Sequence, residues 1–455
     1  MEANSMENNE FFNSAKIKTI LFKIAPPVML AQLIQALYNI VDSFFVGKYS
    51  NNAQTALAVI YPLQLVIIAL AVGTGVGVNT YMARKYAKKQ DDMAKKTAGM
   101  GILLAFISWF IFAILSFLLM KSYVKTSCKD EEAIQDAIIY GNIVCIGSLA
   151  SFLEGVFSKI HQSRGNMRLP MIAQVAGAVT NIVLDPLLIF GKGSFPELGI
   201  AGAAYATIIG QLVSSIIVGI TAFSKPPKGK EMLFYTKKIY FYGYSNILMQ
   251  LLYTVYIVAL NMILAQFTDA AVTVLGLYYK LQSFFFIPLF GLQTCIVPLI
   301  SYNYARKNYE RVHQTMKDTF YISLVFMVLG FICFVFFPTQ FIGFFSHNEE
   351  VLEVGKVAFP IIGASFFMAV FSLTMPVFFQ AIGKGKVSAL LSLTRQIFCL
   401  IPIFYLFSLI GLNYTWISFP LSELISGGIG LILYRKELHQ FKIGEQKEEM
   451  TKKEE

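Results

Sequence analysis

Six ionisable side chains stand inside long apolar stretches of this sequence, away from the ends of those stretches. They are Asp42, Glu154, Asp185, Lys280, Arg395 and Glu423. An ionisable group in a hydrocarbon environment costs several kcal/mol unless it is paired or hydrated, so each is a candidate for function. Carboxylates in such a place can hold a cation or carry a proton. These residue types therefore indicate ion binding rather than covalent catalysis.

Two of these carboxylates are predicted to lie at a similar depth in the membrane to a hydroxyl and an amide side chain. Counted from the predicted helix ends at ~1.5 Å per residue, Asp42, Asp185 and Thr207 lie roughly 8, 9 and 12 Å below the outer surface. Asn181 lies one turn deeper than Asp185 on the same helix face. The four residues form a candidate cation site, in which two neighbouring carboxylates in a low dielectric would make at least one a proton carrier. The alternative is that Asp42 and Asp185 only contact the outer interface and polar partners.

Each of the other four ionisable residues leaves two interpretations open. Arg395 lies seven residues from the cytoplasmic end of its span, where it either extends to that interface in a structural role or takes part in function. Glu154 lies near the same face, where anchoring and function are equally open. Lys280 is about eight residues deep and either lines a cavity or extends to the interface. Glu423 is close to mid-span and can bind a cationic substrate or pair with a buried base.

The composition indicates a membrane protein. Of 455 residues, 56% are hydrophobic and only 14% are charged, whereas soluble proteins carry roughly a quarter charged residues. The net charge of +10 does not indicate a nucleic-acid partner, because the basic residues lie in short loops between apolar stretches. Five scattered cysteines give neither a disulfide framework nor a zinc site. Gly73, Gly75 and Gly77 are typical of close helix packing, and no nucleotide-binding or hydrolase motif is present.

Twelve apolar segments are long enough to cross a bilayer, which takes about 20 residues. Their length and unbroken hydrophobicity indicate helices, since barrel strands would be shorter and of alternating polarity. The fold class is therefore an all-α integral membrane protein. The predicted spans are 24–47, 55–82, 98–120, 136–159, 170–190, 199–223, 241–265, 272–301, 318–338, 357–380, 388–410 and 414–434.

The distribution of lysine and arginine predicts the orientation. With the N-terminus placed in the cytoplasm, 29 of the 37 basic residues fall in cytoplasmic segments and six fall outside. Such a bias is the signal of the positive-inside rule. We therefore expect both termini to be cytoplasmic. The alternation of loops rich and poor in basic residues also supports the number of spans, since one missed helix would disrupt this alternation.

The two halves of the sequence repeat one another. Thr55 to Gln64 matches Thr273 to Gln282 at several positions, and Gly165 stands opposite Gly383 at the same offset of 218. The repeat predicts two parallel six-helix lobes around a central cavity, which suits alternating access. The predicted divisions are an N-terminal segment (1–23), an N-lobe (24–223), a cytoplasmic linker (224–240), a C-lobe (241–434) and a charged tail (435–455).

Several stretches resemble the multidrug and toxic compound extrusion (MATE) family over almost the whole chain. In the N-lobe they include Gln35-Ala-Leu-Tyr-Asn-Ile-Val-Asp42, Asn181-x-x-x-Asp185-Pro186 and Gly202-Ala-Ala-x-Ala-Thr207. In the C-lobe, Val297 to Asn303 and Gln380 to Gly385 are similar to the corresponding stretches. The resemblance implies a secondary transporter that exchanges H⁺ or Na⁺ for organic, often cationic compounds. It implies no enzymatic activity and no cofactor.

The resemblance also implies site residues and a setting. Asp42, Asn181, Asp185 and Thr207 fall on the family's cation-site positions, where Na⁺ or H⁺ would bind. Ser158 falls where some members carry a polar side chain near that site. The expected substrate cavity includes Gln35, Tyr38, Asn39, Lys280 and Glu423. We expect a monomer in a bacterial inner membrane with a small organic substrate. The main alternative is a lipid-linked oligosaccharide flippase of the same superfamily, which would need a more cationic cavity.

Overall fold

The computed structural model describes residues 12–127, 130–193, 195–345 and 348–454. Within these ranges the chain is helical apart from short connections and turns, and no strand occurs. This confirms the predicted all-α class. Residues 1–11 of the predicted N-terminal segment lie outside the described residues.

Eight helices occupy the first part of the chain, up to and across its middle. They are α1 (Ile17–Tyr49), α2 (Asn51–Ala87), α3 (Asp91–Ser127), α4 (Glu131–Gly147), α5 (Leu149–Ser163), α6 (Arg168–Ile189), α7 (Ile200–Ala222) and α8 (Lys230–Leu264).

Ten further α-helices and one π-helix follow. They are α9 (Asp269–Phe285), α10 (Ile287–Ala305), α11 (Tyr309–Phe336), α12 (Pro338–Gly343), α13 (Glu349–Gly363), α14 (Phe366–Ala381), α15 (Gly385–Leu393), the π-helix Thr394–Leu400, α16 (Ile401–Ser408), α17 (Leu412–Thr415) and α18 (Ser418–Glu454).

Bent helix pairs account for the difference between the helices and the predicted spans. Among the described residues, nine segments are long and apolar enough to cross a membrane as single helices. Three more spans are broken pairs, α4 with α5, α9 with α10 and α13 with α14, bent by 42°, 55° and 57°. Counting each pair once gives twelve spans, in agreement with the sequence prediction.

The chain divides into two compact units. The N-terminal unit contains Ile20–Leu251 and the C-terminal unit contains Leu252–Glu455, so the boundary falls within α8. Residues 230–240, which the sequence places in a linker, already belong to α8, and α18 continues through the predicted charged tail. Several helices begin after a polar capping residue. Ser50 and Asp130, for example, cap α2 and α4 by accepting backbone N–H bonds at 3.1 and 2.9 Å.

Glycines bring α2 and the first half of α8 into backbone contact within the N-terminal unit. A Cβ added at Gly77 would collide with the carbonyl of Ile239, and one added at Gly243 would meet the carbonyl of Gly73 at 2.5 Å. Gly73 and Gly77 are therefore packing glycines, as the sequence indicates. Small residues at such positions let two membrane helices approach closely.

Candidate functional site

The carboxyl groups of Asp42 and Asp185 meet inside the N-terminal unit. Asp42 lies on α1 and is 8% exposed, whereas Asp185 lies on α6 and is fully buried. Their side chains lie close enough to interact directly. Two neighbouring carboxylates in a low dielectric repel each other unless a proton or a cation neutralises one of the charges. The arrangement is that of a carboxyl pair suited to holding a proton or a cation.

Asn181 connects the carboxyl pair to α7. In the amide orientation that satisfies both ends, its Nδ2 donates to Asp185 Oδ2 at 3.1 Å and its Oδ1 accepts from the backbone N–H of Thr207 at 3.1 Å. Asn181 and Thr207 are 2% and 3% exposed. The four residues of the predicted cation site therefore lie together. They supply carboxyl, amide and hydroxyl oxygens, the ligand types that hard cations prefer.

Two tyrosines complete this cluster. The hydroxyls of Tyr38 on α1 and Tyr140 on α4 both lie within interaction distance of the side chain of Thr207. Gln64 Nε2 on α2 donates to the hydroxyl of Tyr140 at 3.2 Å. The sequence analysis assigns Tyr38 to the substrate cavity, and it does not include Tyr140 or Gln64. Because a buried tyrosine hydroxyl needs a partner, a tyrosine in the outer half of a predicted span was the available signal.

Close packing of α6 against α7 brings Thr207 to Asn181. A Cβ added at Gly210 would meet the carbonyl of Gly177 at 2.7 Å and the Cβ of Asn181 at 3.2 Å. The turn before α7 depends on Gly199, which has a φ of 56° and faces the hydroxyl of Tyr49. A residue with a side chain would be strained at that φ. The small residues of α6 and α7 therefore position the polar ones.

Ser158 contacts Glu154, whereas the resemblance implies a position near the cation site. It is 4% exposed, and its hydroxyl donates to Glu154 Oε1 at 2.7 Å, one turn earlier on α5. The Glu154 carboxylate also lies within interaction distance of the Gln174 side chain on α6. The described hydrogen bonds thus place Ser158 with Glu154. The assignment of Ser158 to the cation site stays a prediction.

Gln35, Asn39 and Lys280 are exposed side chains, the first two on α1 and the third on α9. A side chain that lines a cavity is exposed in this structure, and so is a side chain that faces lipid. Their assignment to the substrate cavity stays a prediction.

Glu423 and Arg395 form a buried ion pair in the C-terminal unit. Arg395 lies on the π-helix, and its Nη2 is 2.5 Å from Glu423 Oε1. Its Nε contacts both carboxylate oxygens at 3.0 Å, and Ser372 donates a further hydrogen bond to Glu423. The expectation that Arg395 extends to the interface is therefore wrong for this structure, because a guanidinium is more stable beside a buried carboxylate than alone. Of the two interpretations of Glu423, the structure agrees with the one in which Glu423 pairs with a buried base.

The chain is similar to bacterial transporters over most of its length. It is 24% identical to a FAD transporter of Shewanella oneidensis, a match that covers 93% of this chain and 95% of the relative. It is 26% identical to a probable multidrug resistance protein, NorM, of Thermotoga maritima, covering 78% of each chain. A multidrug export protein, MepA, of Staphylococcus haemolyticus is 22% identical, with 93% of this chain and 94% of the relative covered.

Solved structures with the same fold are MATE transporters. An outward-facing multidrug resistance MATE transporter of the MOP superfamily superposes with a TM-score of 0.89 at 22% identity, covering 95% of this chain and 98% of that one. A MATE structure in the bent conformation gives a TM-score of 0.87 at 22% identity, covering 96% and 98%. The predicted twelve-helix, two-lobe fold is thereby confirmed. The MatE family model matches twice, over residues 27–187 and again over 246–406, and this chain belongs to the MatE family of membrane transporters.

Proposed function

We propose that this chain is a cation-coupled antiporter that exports organic compounds in exchange for H⁺ or Na⁺ by alternating access. The observation that carries the proposal is the buried cluster of Asp42, Asp185, Asn181 and Thr207. Two carboxyl groups held together away from water have a strong tendency to bind a cation or a proton. A purely structural cluster would be served as well by one carboxyl and an amide.

Coupling follows when the ion and the substrate prefer different arrangements of the lobes. Cation or proton from outside occupies the carboxyl pair, and substrate affinity falls. The substrate leaves outward, the lobes rearrange, and the ion is released to the cytoplasm. Each positive charge that moves inward contributes ~2.3 kcal/mol per 100 mV of membrane potential. No cofactor takes part.

The proposed substrates are cationic or amphiphilic. The carboxyl pair supplies negative charge to the N-lobe, whereas Glu423 contributes none because Arg395 neutralises it. A cavity beside uncompensated acids favours a cation and penalises a phosphate, since like charges in a low dielectric repel by several kcal/mol. The proposal for a cationic substrate therefore rests on Asp42 and Asp185 rather than on Glu423.

The setting is proposed together with the activity. We place the protein in a bacterial inner membrane as a monomer with both termini in the cytoplasm, because of the positive-inside bias. We also keep the lobes 24–223 and 241–434, the linker 224–240 and the terminal segments 1–23 and 435–455 as the functional divisions.

A lipid-linked oligosaccharide flippase is the second candidate function. Such a protein must accommodate a pyrophosphate and needs free bases in its cavity. Here Arg395 is paired with Glu423, and the exposed Lys280 is the remaining deep base that the sequence analysis identified. A nucleotide-like anion such as FAD, named for one relative, would require free bases in the same way. The pairing of Arg395 weighs against both.

Efflux from proteoliposomes tests the proposal. The purified full chain would be reconstituted with a fluorescent lipophilic cation, and a pH gradient and a sodium gradient would be imposed separately. We expect one of the gradients to drive efflux. Affinity for the dye should fall as pH falls or as the coupling ion is added, because ion and substrate weaken one another by the same factor. Dye transport that responds to neither gradient would overturn antiport, and transport of FAD or of a pyrophosphate-linked lipid instead would favour the second class.

A further inference from the structure

A second, partly buried polar cluster lies in the N-terminal unit, on helices α5 and α6. Its centre is Glu154, a half-buried carboxylate that accepts a hydrogen bond from Ser158 at 2.7 Å. From α6, the amide side chain of Gln174 lies within interaction distance of the Glu154 carboxylate. The cluster therefore contains one carboxylate, one hydroxyl and one amide, drawn from two helices.

The composition of this cluster repeats that of the first site. Asp185, Asn181 and Thr207 are also a carboxylate, an amide and a hydroxyl. A carboxylate, an amide oxygen and a hydroxyl can each give an oxygen ligand to a small cation, and the carboxylate alone can take a proton. The second cluster thus has the ligands of a monovalent-cation site.

The two clusters lie along one face of α6. Gln174 precedes Asn181 by seven residues and Asp185 by eleven, which are close to two and three helical turns, so all three residues point to the same side. At 1.5 Å per residue the amides of Gln174 and Asn181 are separated by about 10 Å along the helix. Gln174 lies toward the start of α6, which follows the loop that the positive-inside bias assigns to the cytoplasm.

We propose that Glu154, Ser158 and Gln174 form a second binding site for the coupling cation, between the Asp42–Asp185 pair and the cytoplasm. The inference rests on the proposed antiport and extends it. A proton or sodium ion that leaves the carboxyl pair is held by the Glu154 carboxylate before it enters cytoplasmic water. With a carboxylate at this depth, the ion moves from the carboxyl pair to the cytoplasm in two steps. Each step is shorter than a direct passage between the two.

The charge that acts on Glu154 is that of Lys159, on the same helix. Its ammonium group donates to Gln162 Oε1 at 2.9 Å, one turn closer to the end of α5. A positive charge beside the second site lowers its affinity for a cation. The second site is therefore suited to release, whereas the pair of Asp42 and Asp185 is suited to capture.

Sodium binding to the purified full chain tests this site directly. Radioactive sodium alone would be titrated at fixed pH, and proton release would be followed in weakly buffered solution. We expect two binding steps in the wild type. Glu154→Gln should lose one whole step and keep the other, whereas Asp185→Asn should lose the complementary step. Glu154→Asp, which retains a carboxylate, should recover the missing step in part.

The matched control is Asp318→Asn, which removes a buried carboxylate from α11 in the C-terminal unit. This variant should keep both steps. An unchanged isotherm and proton count in Glu154→Gln would overturn the second site, and so would loss of both steps in that variant.

A transport measurement separates this proposal from the antiport proposal. Glu154→Gln should bind the lipophilic cation as tightly as the wild type. Its gradient-driven efflux should slow by about tenfold or more, as expected when about 1.4 kcal/mol of stabilisation is lost on the ion path. Gradient-driven efflux at the wild-type rate in this variant would overturn the second site alone. A wild type that ignores both gradients would instead overturn antiport.

Discussion

At the scale of single residues, the central feature is a buried pair of carboxyl groups that interact directly. Asp42 and Asp185 are neighbours, and the amide of Asn181 donates to Asp185. Replacing one carboxyl with an amide preserves the shape and the hydrogen bond but removes the group that gains and loses the ion. The pair can therefore be tested without disturbing the fold.

We predict that Asp185→Asn abolishes gradient-driven export while the protein still folds and inserts. The amide has the shape of the carboxyl and can donate to a neighbouring oxygen, so the packing is retained. Efflux in proteoliposomes measures the loss, and size-exclusion behaviour in detergent reports on folding. Asp136→Asn, on α4 of the same unit, is the control and should export normally. Wild-type export by Asp185→Asn would show that the coupling site lies elsewhere.

The Arg395–Glu423 ion pair leads to a second prediction at this scale. Arg395→Met alone leaves a buried carboxylate unpaired and should destabilise the protein by about 3–5 kcal/mol. The double variant Arg395→Met with Glu423→Met should recover most of that loss, since two apolar side chains replace the pair. Thermal unfolding of the purified variants would give both values. If the double variant is as unstable as the single one, the pair is needed for something other than charge compensation.

At the scale of helices, glycines determine which surfaces can touch. Gly73, Gly77 and Gly243 let α2 and α8 meet at their backbones, and Gly177 with Gly210 does the same for α6 and α7. The contact between α6 and α7 positions the cation site, and the contact between α2 and α8 holds together other helices of the same unit. Without a hydrophobic driving force between membrane helices, such close packing is a main source of their association.

We predict that Gly77→Ala lowers stability by roughly 1–3 kcal/mol, the usual cost of forcing an extra methyl group into a tight contact. The new Cβ would press on the carbonyl of Ile239, which the backbone of α8 holds in place. Gly276→Ala is the matched control, because a Cβ there meets no atom within 4 Å. That control should be neutral or stabilising by up to about 1 kcal/mol through helix propensity. Unfolding midpoints that do not separate the two variants would contradict the packing argument.

At the scale of the whole molecule, the internal repeat is visible in the backbone as well as in the sequence. Gly165 and Gly383 both adopt the left-handed conformation, with φ of 77° and 83°. Lys89 and Lys307, which stand at the same offset, are the non-glycine residues with positive φ in the described ranges, at 55° and 59°. Equivalent turns in both halves agree with the two matches to the MatE family model.

The orientation predicted by the basic loops can be tested by labelling. In a background without native cysteines, Asn52→Cys and Thr268→Cys should react with an impermeant maleimide added to intact cells. Gln90→Cys should react only after the membrane is opened, because its loop carries the positive-inside signal. External labelling of Gln90→Cys would invert the orientation or change the span count.

The membrane class, the twelve spans and the repeat could be predicted from the amino-acid sequence alone, which also places Asp42, Asp185, Asn181 and Thr207 at similar predicted depths. Hydrophobicity and a rise of about 1.5 Å per residue are properties of a single helix and need no knowledge of its neighbours. Which side chains become partners depends on the tertiary structure. In the folded chain Gln64 contacts Tyr140, Ser158 contacts Glu154 and Arg395 contacts Glu423. Depth and helical face limit such contacts, but the choice depends on which helices pack together and how closely their small residues let them approach.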